Sequence, residues 1–467
     1  MRNASILLAA YCLPLLPSCT RPLPAEPAPR IQPRQGPRCN LKEHSLPGQQ
    51  SGFLAVPLSW EDPKNPAKVQ LYWEKFPARR SPARGAVFFL AGGPLPHWFY
   101  HGAESPHFLK GIFDDYDFYM FDYRGMNCSS RVQSMATLRS QLRQAPEAYS
   151  LPTFARDVRS LRDRLVGKGQ KIILFGGSYG FFLGVQVLID HPEIVESAIL
   201  FHGDTDAAFW HQGMLRLDSL ITGSLAARNP KLVSGLETLK KKLDAGELVL
   251  FAGTPKERRL TWADFQVQLW MNFGQSVAAQ EKLPRIVELI LKGDETAAKI
   301  LEGFHKISEG LAQSLLVGDE KEPPTASSLV SGYARCNVLF DKGARAELTK
   351  RPTKGRFLGT EALVAYFDRA CKNLDRLPTR RYDLTHRLRP VPSPVLVIHT
   401  GRDMFDPGRV AAHLARLGPA AKLVYEPEWA HDFGQDMAAG VQRFTKLLRE
   451  FLGLDTTPRP VHPPQQR

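Results

Sequence analysis

The sequence predicts an α/β protein with a mostly parallel central sheet, flanked by helices and interrupted by a large helical insertion. Short apolar β-rich runs alternate with helical patterns in both outer parts of the chain. Residues 205–388 show helical patterns without a clear strand, and one early strand runs directly into a Gly-x-Ser-x-Gly turn. Alternating strands and helices favour parallel strands joined by helical crossovers. For a chain of 467 residues, we expect one sheet domain with a cap rather than two independent domains.

The predicted sheet strands are short and separated by turn residues. Residues 86–90 are wholly apolar, as expected for a strand that is covered on both faces. The other predicted strands are 69–73 near the sheet edge, 116–121, 171–175, 197–201, 395–398 and 422–425. Helical periodicity is clearest at 154–165 and 181–189. This order divides the chain into a first core part at 39–204, a cap at 205–388 and a second core part at 389–454.

The N-terminus carries the pattern of an export signal. Arg2 precedes an apolar stretch at 6–16, and Ser18 and Cys19 follow it. Leu16-Pro17-Ser18-Cys19 also resembles a bacterial lipobox, in which Cys19 would be lipidated and tether the protein to a membrane. An ordinary cleaved signal with an incidental cysteine is the alternative. We expect a signal peptide at 1–19, a Pro-rich linker at 20–38, a Pro-rich tail at 455–467, and a location in the cell envelope or outside the cell.

Export would permit disulfide bonds. Two of the six cysteines fall in the signal. The other four are Cys39, Cys128, Cys336 and Cys371. Four cysteines can form two disulfide bonds in three different ways. We favour Cys39–Cys128 and Cys336–Cys371, because each bond stays within one predicted module. Four free buried thiols are the alternative. The spacing contains no Cys-x-x-Cys pair or Cys/His cluster, so no metal site is expected.

The charge balance is basic, but it does not predict a nucleic-acid partner. The chain has 61 Lys and Arg against 47 Asp and Glu, a net charge of +14. Residues 342–389 hold 13 basic and 5 acidic residues, so a net +8 lies in the last part of the cap. This segment is either a solvated basic face or a face that meets an anionic envelope or steers acidic substrates. No standard nucleic-acid-binding module is present. Beyond the signal, no apolar run approaches the roughly 18–20 residues of a membrane span, which excludes a polytopic membrane protein.

The segment Gly176-Gly177-Ser178-Tyr179-Gly180 predicts a catalytic nucleophile. It lies between the strand 171–175 and the helical pattern 181–189, which is the context of a nucleophile elbow. Glycines flank the serine because so tight a turn leaves no room for Cβ atoms. A glycine-rich turn without catalytic function is the alternative. We predict that Ser178 is the nucleophile.

A serine nucleophile needs a base that is oriented by a third group. In this arrangement the chain order is serine, acid, histidine. Asp403 follows the strand 395–398 and is the predicted acid, with Asp406 as its rival. His431 follows the strand 422–425 and is the predicted base. His413, inside a helical pattern, and His462, in the Pro-rich tail, are not favoured.

The same chemistry needs two N–H donors for the oxyanion of the tetrahedral intermediate. The backbone N–H of Tyr179, next to the nucleophile, is one predicted donor. The other is the N–H of Gly93, in the loop that follows the strand 86–90, with Gly92 shaping the turn. A simple turn after the strand is the alternative for this loop.

These segments together resemble the proline iminopeptidase and tripeptidyl aminopeptidase group of α/β-hydrolases. The resemblance covers residues 39–204 and 390–440 and is carried by Leu90-Ala91-Gly92-Gly93-Pro94, by Asp122-Tyr123-Arg124-Gly125 and by Gly176-Gly177-Ser178-Tyr179-Gly180. Ala91 replaces the histidine of that group's oxyanion loop. The resemblance implies an α/β-hydrolase fold and a serine peptidase that acts on the N-termini of short peptides. It implies no cofactor.

An exported aminopeptidase is therefore the leading hypothesis, and three points stay open. An esterase or lipase would use the same triad, and a hydrolase fold without activity could serve as a binding module. Aminopeptidases of this group need cap carboxylates for the substrate's α-ammonium, for which Glu237, Asp264, Glu281 and Glu288 are available. The sequence does not select among them. It also leaves the oligomeric state open.

Overall fold

The computed structural model describes residues 48–93, 114–205, 209–303, 326–405, 407–431 and 437–454, except positions 131, 133, 252, 255–256, 275, 295, 297–298, 351, 353, 380–382. The predicted signal peptide 1–19, linker 20–38 and tail 455–467 lie outside the described residues. Cys39, Asp406 and His462 also lie outside them.

The core of the described chain is an eight-stranded, mostly parallel sheet. Its strands are β1 (Gln50–Pro57), β2 (Lys68–Phe76), β3 (Ala86–Leu90), β4 (Asp117–Phe121), β5 (Ile172–Gly177), β6 (Val195–Phe201), β9 (Val395–Thr400) and β10 (Ala421–Glu426). The order across the sheet is β1-β2-β4-β3-β5-β6-β9-β10. β2 is antiparallel to β1 and β4, and the other neighbours are parallel. The predicted mostly parallel sheet is confirmed.

Burial explains which strands the sequence patterns predict well. Every residue of β3, β5 and β9 is buried, because helices cover both faces of the central sheet. Continuous apolar runs are therefore visible in the sequence at these places. β1 is an edge strand whose residues are mostly exposed or half-buried, and its mixed sequence does not predict it.

The helices that flank the sheet begin at clear local signals. They are α1 (Met135–Gln144), α2 (Leu151–Arg162), α3 (Tyr179–Asp190), α11 (Pro407–Leu414) and α12 (Met437–Phe451). The Ser150 side chain accepts a hydrogen bond from the Thr153 N–H and caps α2, which has Pro152 in its first turn. α3 is buried along almost its whole length, as its predominantly apolar sequence requires.

The chain between β6 and β9 is mainly helical where it is described. Its helices are α4 (Phe209–Leu220), α5 (Leu232–Asp244), α6 (Trp262–Gln268), α7 (Val277–Leu291), α8 (Ala326–Tyr333), α9 (Lys342–Lys350) and α10 (Thr360–Cys371). A two-residue pairing of β7 (Val249–Leu250) with β8 (Arg258–Arg259) interrupts the helices. The expectation of a cap without strands is wrong at this small hairpin, because two paired residues are too few to form a sequence pattern.

The described cysteines are oxidised. Cys336 and Cys371 form the predicted disulfide, with Cα atoms 5.5 Å apart, and join the turn after α8 to the end of α10. Cys128 is also disulfide-bonded, and its predicted partner Cys39 lies outside the described residues. The alternative of four free thiols is therefore wrong. In the described part of the chain, no helix has both the length and the apolar character that a bilayer span requires.

Candidate active site

The predicted site residues follow the carboxyl ends of neighbouring parallel strands. Leu90 of β3 pairs with Gly176 of β5, and Gly177 of β5 pairs with Phe201 of β6. β6 in turn pairs with β9, and β9 with β10. The loops that leave these strands therefore meet at one edge of the sheet, which is where open α/β sheets bind ligands.

Ser178 lies in a strained turn between β5 and α3. Its backbone has φ 55° and ψ −119°, a left-handed conformation that L-residues other than glycine adopt rarely. The Ser178 N–H donates to the carbonyl of Phe201 at 3.0 Å, which holds the turn against β6. The side chain is only half-buried, so its hydroxyl is presented at the sheet edge.

The glycines around Ser178 are required by close packing. A Cβ on Gly176 would lie 2.6 Å from the carbonyl oxygen of Gly180, and a Cβ on Gly180 would lie 1.9 Å from that of Leu90. A Cβ on Gly177 would overlap the Phe201 ring at 2.2 Å. The Gly-x-Ser-x-Gly pattern is thus explained by the close approach of β3, β6 and the elbow itself, as in a nucleophile elbow.

His431 and Asp403 form a hydrogen-bonded pair. The distance between His431 Nδ1 and Asp403 Oδ2 is 2.9 Å. Asp403 is fully buried, whereas about a fifth of the His431 side chain is exposed. An imidazole held in this way has its other nitrogen directed away from the carboxylate, which is the orientation a general base needs.

The surroundings of Asp403 keep this carboxyl group ionised. Burial opposes ionisation, but His431 and His202 face the same oxygen and hold the pKa of Asp403 well below its ordinary value. The backbone N–H of Met404 donates to the other oxygen, Oδ1, at 2.6 Å. Asp403 can therefore stabilise the imidazolium that forms when His431 accepts a proton.

His202 is a residue of the site that the sequence interpretation missed. It follows β6 directly, and its Nδ1 lies 3.2 Å from Asp403 Oδ2. Its ring centre lies 4.9 Å from that of His431. The sequence does contain a signal for it, namely a histidine directly after an apolar strand. Ser178 and Asp403 also follow the ends of predicted strands.

Two residues of the cap hold the turn that carries Asp403. Arg216 of α4 donates to the carbonyl oxygens of Gly401 and Asp403, at 2.6 and 2.9 Å. The fully buried Gln280 of α7 donates to the carbonyl of Arg402 at 3.0 Å and accepts from Arg402 Nε at the same distance. Three successive carbonyls of this acid turn, residues 401–403, are thus held by the cap. No motif marks Arg216 or Gln280 in the sequence.

The loop that is predicted to supply an oxyanion donor, residues 91–93, is held in a similar way from two sides. The buried Tyr123 hydroxyl donates to the carbonyl of Ala91 at 2.7 Å. Arg335, in the π-helical turn Ala334–Leu339 of the cap, donates from Nε to the carbonyl of Gly93 at 2.8 Å. Gly93 has φ 109°, so the predicted donor needs a conformation that suits glycine. Gly92 and Gly93 follow β3 after Ala91, and β3 pairs with the strand that leads into the elbow.

Tyr179 begins α3, where backbone N–H groups lack partners within the helix. Its side chain is fully buried, and burial raises the pKa of its hydroxyl well above the ordinary value. The ring packs edge-on against Tyr123, whose hydroxyl holds the oxyanion loop. Tyr179 thus connects the elbow with the predicted oxyanion loop through side-chain packing.

The four cap carboxylates are all engaged in ion pairs. Glu237 pairs with Arg356, Asp264 with Arg258, and Glu288 with Arg285 and Lys292. Asp264 also completes a capping box with Thr261 at the start of α6. Glu281 of α7 pairs with Arg228 and with Arg402, the neighbour of Asp403. Glu281 is therefore the one of the four that contacts the acid turn.

The unfavoured histidine His413 belongs to a different cluster. Its Nδ1 lies 3.3 Å from Asp204 Oδ1 and also contacts the Thr205 hydroxyl. This contact ties α11 to the loop after β6. His413 thus packs at the rim of the sheet and does not join the Asp403 pair.

Side chains of metal-ligating types meet at one place in the described residues, namely His202, Asp403 and His431. His431 Nδ1 and Asp403 Oδ2 are hydrogen-bonded at 2.9 Å, whereas His202 Nδ1 approaches the same oxygen to 3.2 Å in a poorly aligned contact. We interpret this group as a polar cluster around the buried carboxylate.

Comparisons with known proteins agree with the observed sheet. A family model described as alpha/beta hydrolase fold matches residues 85–278. A search of curated proteins finds no match. The chain is similar to a proline iminopeptidase of Mycobacterium smegmatis, with 12% identity, 86% of this chain and 100% of that chain covered, and a TM-score of 0.43.

Two further solved structures are similar at the same level. One is a thermophilic esterase from Thermogutta terrifontis, with 13% identity, 86% and 98% of the two chains covered, and a TM-score of 0.37. The other is a proline iminopeptidase-related protein from Thermus thermophilus, with 16% identity, 87% and 98% covered, and a TM-score of 0.38. Identities this low do not distinguish a peptidase from an esterase. The sheet order, the elbow and the family match identify the fold as that of the α/β-hydrolases.

Proposed function

We propose that the protein is a serine hydrolase whose triad consists of Ser178, His431 and Asp403. The observation that carries this proposal is the hydrogen-bonded His431–Asp403 pair, at the same sheet edge as a serine held in a strained elbow. A purely structural turn has no need for a serine at φ 55°, where glycine would be unstrained.

In this proposal the hydroxyl of Ser178 attacks the acyl carbon of the substrate. His431 takes the hydroxyl proton and returns it to the leaving group, while Asp403 orients the imidazole and stabilises its charged form. The Tyr179 and Gly93 N–H groups stabilise the oxyanion. Water then attacks the acyl-enzyme with His431 again as the base, which restores the free serine.

The test of the triad is labelling by a fluorophosphonate probe. We expect the wild-type protein to label and Ser178→Ala to lose labelling and hydrolysis completely, because the probe bonds to the activated serine. Ser234→Ala is the matched control, since Ser234 is an exposed cap serine that hydrogen-bonds only locally. Wild-type protein that fails to label would favour a non-catalytic binding module.

For the substrate, we propose a short peptide that is cleaved near its N-terminus, as the resemblance of the motifs implies. Among the four candidate carboxylates, Glu281 suits the substrate's α-ammonium best, because it is half-buried and contacts Arg402 beside the acid. We expect Glu281→Gln to raise KM for aminoacyl amides about tenfold, the effect of losing one charged contact. KM for uncharged short-chain esters should change little.

Glu237→Gln is the matched control for this prediction. Glu237 is an exposed cap carboxylate that pairs with Arg356. We expect its replacement to leave KM for both substrate types unchanged. Equal effects of the two variants on amide substrates would contradict a specific role for Glu281.

An esterase is the second candidate, and the pairing of the cap carboxylates favours it. Each of the four already neutralises an arginine or lysine, so no one of them is reserved for a substrate amine. Aminoacyl and tripeptidyl amides assayed beside short-chain esters separate the candidates. Ester turnover without amide turnover would exclude the peptidase.

We also propose that the protein is exported, on the pattern of residues 1–19. The envelope would then supply its peptide substrates and the oxidising conditions that disulfides require. Mass analysis of the mature N-terminus tests this. A lipid-modified Cys19 is expected for an anchored form, and an intact Met1 would contradict export.

A further inference from the structure

We infer that His202 is a fourth member of the catalytic network, a positioning residue that donates a hydrogen bond from Nδ1 to Asp403 Oδ2. The inference rests on the proposed triad and adds a second histidine to its acid. His202 does not face the substrate and acts through Asp403. It would set how strongly that carboxylate attracts a proton onto His431.

The contact geometry is the first support for this inference. His202 is almost completely buried, and Nδ1 has no other partner at hydrogen-bonding distance in the described part of the chain. Its approach of 3.2 Å to Oδ2 is off the ideal axis of a hydrogen bond. Bonds in catalytic networks are often misaligned in the free enzyme and tighten as the reaction proceeds. A donor left unpaired in the interior destabilises the folded protein, which favours use of the contact.

The backbone at His202 is the second support. His202 has φ 53°, a value that residues other than glycine rarely adopt, and it follows the last residue of the regular strand β6. Ser178 has the same kind of backbone at the end of the neighbouring strand β5. Strain of this type persists where the surrounding structure holds the side chain in a specific position, and it clusters at active sites. Here the position is against Asp403 and the His431 ring.

The charged and titratable groups around His202 keep it neutral. Burial lowers its pKa below the ordinary value, and the neighbouring His431 lowers it further when His431 is protonated. Asp403 acts in the opposite direction. Two more such groups face the cluster among the described residues: His399 of β9, which burial keeps neutral, and the guanidinium of Arg216, which donates to the Asp403 carbonyl. A neutral imidazole can donate from Nδ1 throughout the reaction cycle.

The consequence for the triad has a definite sign. Oδ2 of Asp403 is shared between His431 and His202, so each donor reduces the negative charge that the other experiences. Loss of the His202 donor makes Asp403 a stronger acceptor for His431 and raises the proton affinity of His431. The acidic limb of kcat/KM reports the protonation of the free enzyme's base and should then move to higher pH.

Two variants at position 202 test this consequence. His202→Phe keeps a flat ring beside His431 but removes the donor. His202→Asn keeps an N–H donor close to the position of Nδ1, and asparagine tolerates a positive φ. We expect His202→Phe to move the acidic limb of the kcat/KM profile to higher pH by about 0.5–1 unit and to lower kcat about tenfold. His202→Asn should restore most of the wild-type limb position and most of kcat.

The matched controls are His399→Phe and His399→Asn. His399 is equally buried and close to the same carboxylate, but its Nδ1 accepts the Thr400 N–H and is therefore not a donor to Asp403. We expect neither control to move the acidic limb. A limb that moves equally in both Phe variants, or that stays at its wild-type position in His202→Phe, would overturn the inference.

A measurement without substrate separates this inference from the proposed function. Nuclear magnetic resonance of the histidine rings follows the protonation of His431 directly in wild type and variants. We expect a raised His431 pKa in His202→Phe, also in a Ser178→Ala background that has no activity. An unchanged His431 pKa refutes the role of His202 alone. Full activity of Ser178→Ala refutes the proposed function instead.

Discussion

At the residue scale, the site combines backbone strain with buried ionisable groups. Ser178 and His202 follow neighbouring strands, and both adopt left-handed backbone conformations. Asp403 is fully buried as a carboxylate, and its stabilisation comes from His431, His202 and the Met404 N–H. Such features destabilise a folded chain unless the contacts around them compensate. The stability of the site should therefore depend on pH through the histidines that surround Asp403.

We predict that His399 makes the protein less stable as the pH falls. Burial lowers the pKa of His399 from 6.5 to about 4 in the folded state. Between these values the unfolded chain binds a proton that the folded chain does not, so the free energy of unfolding falls as pH decreases from about 6.5 to about 4. The difference of about 2.5 units corresponds to at most about 3–4 kcal/mol.

Urea denaturation at about pH 7, above this window, and at about pH 4.5, near its lower end, measures the effect. His399→Asn, whose amide oxygen can accept the Thr400 N–H, should lose less stability between the two pH values than wild type. His386→Asn is a control outside the sheet, in the chain that returns to β9. If His399→Asn and wild type lose equal stability, the buried neutral state of His399 would be ruled out as the cause.

At the scale of elements, the loops of the proposed site are held by elements far away in sequence. The acid turn accepts hydrogen bonds from α4 and α7. Its own N–H groups donate to the chain at the end of β10: that of Gly401 to the carbonyl of Glu426, and that of Arg402 to the carbonyl of Trp429. Gly401 has no space for a side chain, since a Cβ would lie 2.1 Å from the Pro427 carbonyl. The position of Asp403 thus depends on packing between cap and sheet.

We predict that Gln280→Ala lowers kcat about tenfold and changes KM little. The substitution leaves the Arg402 carbonyl and Nε without their buried partner, so the acid turn loses its fixed position. A misplaced Asp403 weakens the orientation of His431, which matters for the chemical step more than for binding. Steady-state kinetics measures the effect, with whichever of the aminoacyl amides, tripeptidyl amides and short-chain esters is hydrolysed fastest.

Gln266→Ala is the matched control for the acid turn. Gln266 is a cap glutamine in α6 that also donates to a backbone carbonyl, that of Phe357, at 2.7 Å. Both variants remove one such bond from the cap, but Gln266 does not contact the acid turn. A tenfold loss of kcat in both variants would indicate a general effect on the cap.

The parts of the structure that the sequence predicts are those determined by residues close together in the chain. Fully buried strands and the elbow are visible because their local sequence must be apolar or glycine-rich, as at Gly176 and Gly180. His202, Arg216 and Arg335 were not predicted, because each acts on a segment that is at least 185 residues away in the chain. Tertiary contacts of this kind leave no local pattern, although a polar residue ending an apolar strand is a usable signal.

At the scale of the whole molecule, the cap contacts two separate parts of the proposed site. Arg335 holds the oxyanion loop at Gly93, and Arg216 and Gln280 hold the acid turn. The cap would then contribute to the geometry of catalysis. The Cys336–Cys371 disulfide lies next to Arg335 and joins its turn to α10. Its loss should therefore affect the oxyanion loop through Arg335.

We predict that the Cys336→Ala/Cys371→Ala double variant is less stable and has a lower kcat. The bond closes a loop with a sequence separation of 35, for which loop entropy in the unfolded chain corresponds to about 3–4 kcal/mol. Both side chains are fully buried in the folded state, so two small cavities add to the loss. Thermal unfolding measures the stability, and fluorophosphonate labelling measures the competence of the site.

Arg335→Gln separates the two effects of the disulfide. This variant keeps the bond but weakens the hold on the Gly93 carbonyl, so we expect a lower labelling rate at nearly wild-type thermal stability. Arg335→Lys, which retains a cationic donor, should recover part of the rate. A double cysteine variant that unfolds earlier yet labels at the wild-type rate below its transition would show that the disulfide stabilises the cap without positioning the oxyanion loop.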